Sequence, residues 1–220
     1  MSRSIILRGV LLALLIAGGG WTGASPEGLN GASPASPPRV DPDPPEETAK
    51  LVFVHASVGE QWLSHWLGEE LGANNYFVSD YSLHNHTDFP GHDYCAWPVV
   101  FGDPHWFDVV RQHNAAEANY TRPMPDPGGE NTILMIKPCF TQYPIMGDPD
   151  DPPCADCDCA PTVAAIKRAL LDLRPVLAQH PDRFFVLVTA PPKKQEGMAY
   201  GENAQALAHW MMNEWLAGYE

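Results

Sequence analysis

The chain has 220 residues, of which 45% are hydrophobic and 18% charged, and a net charge of −14. That length suits one domain with appendages. The acidic balance argues against a surface built for nucleic acid or for an anionic membrane.

Residues 1–24 open with Arg3 and Arg8 ahead of an apolar run from Val10 to Ala17, and small residues lead on to Ala24. This is the pattern of a secretory signal peptide, and the run is too short for a bilayer-spanning helix. The expectation is a secreted or periplasmic protein with no membrane span in its mature chain. Residues 25–48, rich in Pro, Ser, Gly and acid, cannot supply a core and read as a flexible linker. The folded domain is expected over residues 49–220.

Three short apolar runs bounded by turn residues read as buried strands: LVFVHA (51–56), TILMIK (132–137) and RFFVLVTA (183–190). YFVSDYS (76–82) is a weaker candidate. Helical patterns separate them. In 59–73, Trp62, Trp66, Leu67 and Leu71 recur at helical spacing. In 161–180, Pro161 suits a first turn and Val163, Ile166, Leu170 and Leu173 form one face, with Pro175 expected to kink or end the helix. In 203–219, Leu207, Trp210, Met211 and Trp215 share a side. This alternation predicts an α/β sandwich on a mainly parallel sheet. Segments 82–106 and 138–160 lack periodicity and read as long loops, either functional or disordered. In a parallel sheet, Ser57, the stretch from Lys137 to Thr141 and the stretch from Ala190 to Lys194 would converge on one edge, because all follow strand ends.

Ser57 at the first strand–helix junction has two readings. Ser57-Val58-Gly59-Glu60 matches a capping box, in which Ser57 and Glu60 satisfy backbone donors. The same turn would present the Ser57 hydroxyl at the sheet edge, where N–H groups of the helix start can stabilise an oxyanion. A nucleophile needs a base. His55, two residues earlier, is one candidate and His209 on the last helix a weaker one.

The five cysteines are Cys95, Cys139, Cys154, Cys157 and Cys159, so at least one lacks an intrachain partner. In an exported chain the CADCDC run (154–159) predicts disulfides, with Cys139 or Cys95 as partners, and a thiolate metal site is the alternative. His84, His86, Asp88, His92, Asp93 and Cys95 crowd one stretch, but their spacing fits no metal motif. They read as a polar loop, and no metal or cofactor is expected. The tryptophans Trp62, Trp66, Trp97, Trp106, Trp210 and Trp215 could line a sugar groove; Trp62, Trp66, Trp210 and Trp215, at helical spacing, read as core.

The pieces FVHASVGEQWL, HTDF followed by AWP, ILMIKPCF, HPDRFFVLVTAPP and NAQALAHWMMNEWL fall in order between residues 51 and 216. Together they resemble the SGNH/GDSL hydrolase superfamily, and within it an exported bacterial group with an H-x-S-x-G first block. The resemblance implies a three-layer, flavodoxin-like domain that hydrolyses esters, acylated glycans among them. It implies Ser57 as nucleophile, with the N–H groups of Ser57 and Gly59 at the oxyanion. Asp88 would sit at the pocket rim, and Lys137 would either meet an anionic substrate group or reach solvent. The chain departs from the superfamily pattern twice. Lys137-Pro138-Cys139-Phe140-Thr141 stands where an oxyanion Asn is usual, and no His has an Asp three residues before it. The expectation is that the domain continues past Glu220, with the Asp-x-x-His block downstream. The alternatives are a non-catalytic exported binding protein on this fold and a metal-binding exported protein that uses the Cys and His clusters.

Overall fold

A computed structural model describes residues 10–13, 43–91, 93–139, 144–155, 158, 160–190 and 199–217. Five strands form one sheet: β1 (Val10–Ala13), β2 (Ala49–His55), β3 (Tyr76–Ser82), β4 (Ile133–Ile136) and β5 (Phe184–Val188). The order is β1-β5-β4-β2-β3, and every pairing is parallel. The four strands from β2 onward are the expected ones, including YFVSDYS. The short β1 backbone, from the stretch read as a leader, lies against β5 with Val10 opposite Phe185.

Strand alternation divides the core. Val52, Val54, Leu134, Ile136, Phe185 and Leu187 face one side, and Leu51, Phe53, Val78, Met135, Val186 and Val188 face the other. Helices cover both faces, which is why β4, β5 and the middle of β2 are apolar throughout. On the second face lie α1 (Val58–Trp62), a π-helical turn (Leu63–Leu67) and α2 (Gly68–Ala73), with Leu63 fully buried. On the first lie α3 (Trp97–Gly102), α4 (Pro104–Gln112), α5 (Val163–Leu177) and α6 (Ala199–Asn213). The predicted α/β class and three-layer build are therefore present. No helix among the described residues is long and apolar enough to cross a membrane.

Three local expectations are corrected or narrowed. Segment 82–106 is not a continuous loop, since it contains α3 and the start of α4. Asp103 caps α4 by accepting from the His105 N–H at 2.8 Å, and Pro104 follows as its first residue. Of the kink or end expected at Pro175, the end is excluded, since α5 runs to Leu177. A proline this near the C-terminus removes only one late hydrogen bond, and burial of Leu173 and Leu177 outweighs that loss. Trp66 is not core but 45% exposed. The wider π turn rotates the buried stripe onto Leu63, with Leu67 and Leu71 partly buried beyond it.

Candidate functional site

The strand order locates the site. From β2 the chain steps outward to β3, then returns past β2 to β4 and β5. The switch point lies between the C-terminal ends of β2 and β4, the crevice where open α/β sheets bind ligands. Val54 pairs with Ile136, so His55 and Lys137 leave the sheet side by side. Ser57 follows directly. Ser57 and Lys137, both singled out from sequence, thus flank the switch point.

Ser57 is exposed and strained. Its φ of 54° and ψ of −112° lie outside the left-handed helical basin, where a residue with a Cβ finds little room. Such a conformation costs about 1–3 kcal/mol and persists only where its surroundings impose it. Here the Gly59 N–H donates to the Ala56 carbonyl at 3.2 Å, and the Glu60 N–H to the Ser57 carbonyl at 3.1 Å. The Ser57 N–H donates to Nε2 of His84 at 3.0 Å. The capping box does not form, because the Ser57 side chain makes no cap hydrogen bond and Glu60 is exposed. A capping serine needs extended dihedrals, and Ser57 does not have them.

His55 explains Gly59. The His55 ring is fully buried beneath the turn, and a Cβ on Gly59 would fall 2.4 Å from its Cβ. The glycine lets α1 close over the histidine, and its N–H is already committed to Ala56. His55 is sealed from solvent and its Nε2 faces Oδ2 of Asp80 at 3.5 Å, so it is not placed to serve an exposed hydroxyl. His209 is on the exposed side of α6.

Asp80 is a fully buried carboxylate inside β3. It accepts from the N–H groups of Glu117 at 2.5 Å and Ala118 at 2.6 Å, and from the Tyr120 hydroxyl at 3.3 Å. Burial pushes its pKa up, but the His55 ring and the two backbone donors outweigh that and hold it below the usual aspartate value. Glu117 carries the network onward. Its carboxylate accepts from the Ser82 N–H at 2.7 Å and from Asn85 at 3.2 Å, and it meets Nε2 of His86 at 2.7 Å. His113 packs edge-on against Tyr81 and hydrogen-bonds the Asp80 carbonyl through Nε2 at 2.7 Å. Burial lowers its pKa. The residues after β3 are thereby tied to the segment that follows α4. Sequence reading missed Asp80, Glu117 and His113. The available signal was an Asp inside a predicted strand, between Ser79 and Tyr81.

Lys137 is 2% exposed, so the expectation that it reaches solvent is wrong. Its ammonium donates to the Pro138 carbonyl at 2.9 Å and lies 5.6 Å from the Trp62 ring centroid. Burial lowers its pKa, and nearby Cys139 opposes this only in part. Asp88 is exposed on the loop after β3. Burial, then the charges of Asp88 and Glu117, raise the Tyr81 hydroxyl to about 12. The loop also reaches β5, since the buried Tyr94 hydroxyl accepts from the Ala190 N–H at 3.0 Å.

Cys95 and Cys154 are disulfide-bonded, whereas Cys139 is a buried free thiol and so not the expected partner. Among the described residues no group of His, Cys, Asp and Glu is arranged to hold a metal ion. His92, Phe140, Thr141, Cys157, Cys159 and the stretch from Pro191 to Lys194 lie outside the described residues. Trp97 and Trp215 are fully buried and Trp106 packs on the core, so none of these three lines a groove.

Comparison of the chain with protein-family models, curated proteins and solved structures gives no match.

Proposed function

We propose that the protein is an exported serine esterase of SGNH type, with Ser57 as nucleophile. The carrying observation is the strained, exposed Ser57 at the switch point of a parallel sheet, with an imidazole nitrogen 3.0 Å from its backbone nitrogen. Backbone strain of this kind clusters where a side chain must be held out for chemistry. A residue needed only as a helix cap has no use for it, and Ser57 does not cap.

The reaction is acyl transfer. Ser57 Oγ attacks the ester carbonyl and the alcohol leaves. Water then releases the acid from the acyl-serine. The Ser57 N–H and the N–H of Val58, first residue of α1 and therefore without an intrahelical acceptor, serve the oxyanion. Gly59 acts by admitting His55 rather than by donating to substrate. Lys137 adds a buried positive charge beside the crevice and favours substrates that develop negative charge there. Asp88, exposed beyond β3, belongs to the rim. Esters of glycans are the substrate class the resemblance favours. The disulfides at Cys95 and Cys154 support an oxidising, extracytoplasmic location.

Steady-state hydrolysis of short-chain p-nitrophenyl esters tests the reading. Turnover in the wild-type chain that disappears in Ser57→Ala is expected. Equal rates in the two would refute it.

The competing reading is a non-catalytic binding protein on the same fold. Ester turnover decides between the two.

A further inference from the structure

We infer that His84, from the loop after β3, is the base that takes the proton from Ser57. This rests on the reading of Ser57 as nucleophile.

Because Nε2 of His84 accepts from the Ser57 N–H, its lone pair faces Ser57 and the ring proton resides on Nδ1. Ser57 Oγ belongs to the residue whose N–H meets that nitrogen, so proton transfer needs Nε2 to move from the N–H to Oγ. The ring is exposed, so substrate and water reach it. Its neighbours fix the loop on both sides. The Leu83 N–H donates to the His55 carbonyl at 2.9 Å. The Asn85 N–H donates to the Ser82 carbonyl at 2.9 Å, and its side chain to Glu117 at 3.2 Å. Glu117 in turn is anchored through its own N–H to the buried Asp80. The Asp80–Glu117 network thus acts at a distance, holding the His84 loop over the end of β2.

The steps balance. His84 Nε2 accepts the proton of Ser57 Oγ–H as Oγ bonds to the ester carbon. A protonated Nε2 can no longer accept from the Ser57 N–H, which is freed to donate to the oxyanion. As the tetrahedral intermediate collapses, the ester C–O bond breaks and Nε2–H protonates the leaving alcohol. In the second half, Nε2 takes a proton from water, the hydroxide adds to the acyl carbon, and Nε2–H returns the proton to Ser57 Oγ.

The test compares the full chain with His84→Ala, His84→Gln and Ser57→Ala. Each is treated with an alkyl fluorophosphonate, and the Ser57 adduct is quantified by peptide mass over time. Wild type is expected to label and Ser57→Ala not. Both His84 variants are expected to label about 100- to 10,000-fold more slowly, the range for loss of a general base. Free imidazole is expected to restore part of the rate in His84→Ala. Wild-type rates in both His84 variants would overturn the base while leaving Ser57 as nucleophile. A slow His84→Ala that imidazole does not rescue would also overturn it, and would make His84 a positioning residue. A wild-type chain without adduct would overturn both readings.

Discussion

Gly59 stands so close to His55 that a Cβ on it would fall 2.4 Å from the His55 Cβ. The two residues flank Ser57, and their contact sets the angle at which α1 leaves β2. His-x-Ser-x-Gly is therefore a packing unit. Gly59→Ala must push His55 or the helix aside. The expected cost is about 1–3 kcal/mol, the range for overpacking a close contact. Chemical denaturation measures it, and the same variant is expected to lose ester turnover because Ser57 moves with the helix.

Ser57→Gly is expected to stabilise the fold while abolishing activity. A glycine at φ 54° and ψ −112° carries no Cβ strain. Relief of about 1–3 kcal/mol, set against about 0.5–1 kcal/mol of extra chain entropy, leaves a net gain of roughly 1 kcal/mol. For a domain of this size that raises Tm by about 2–4 °C. An unchanged or lower Tm would show that the turn is not strained.

Asp80 links pH to stability. Its pKa is held below the ordinary 3.8 in the folded state. Its contribution is therefore complete above that value and is lost as pH falls below it toward the folded value. Asp80→Asn places an amide donor against the N–H groups of Glu117 and Ala118, at a cost of about 3 kcal/mol. Denaturation of the two proteins across pH 2–7 is expected to show the gap closing at the acid end. A gap that stays constant down to pH 2 would contradict this.

Lys137 runs the opposite way. Burial depresses its pKa below the ordinary 10.5. Between the folded value and 10.5 the unfolded chain holds the proton more readily, so wild-type stability rises with pH through that window. Lys137→Met keeps the volume and removes the charge. It is expected to be more stable than wild type by about 1–3 kcal/mol at neutral pH, with the difference shrinking as pH climbs toward 10. A less stable Lys137→Met would indicate that the ammonium holds the fold together.

The strands were readable because a sheet covered on both faces writes near-continuous apolar runs, and LVFVHA, TILMIK and RFFVLVTA have no helical competitor. α3 escaped notice because its six residues are too few to show a period, although Asp103-Pro104 marks the start of α4 clearly. Trp66 was misplaced because a π turn leaves no mark in spacing. At the site, Ser57 and Lys137 could be found from their positions after strands. His84 could not be assigned to Ser57, since 27 residues separate them and only the turn after β3 brings them together. The Asp80–Glu117 pairing spans 37 residues and depends on the extended segment that runs back along β3. Contacts of that kind are set by topology, not by local pattern.

In the proposed reaction Ser57 forms a covalent bond to substrate. The direct measurement is peptide mass spectrometry of the full chain quenched in acid during turnover of a p-nitrophenyl ester. An acyl group on Ser57, absent in Ser57→Ala, is the predicted result. An acyl group on Lys137 or Cys139 instead, or turnover with no acylated residue at all, would contradict it.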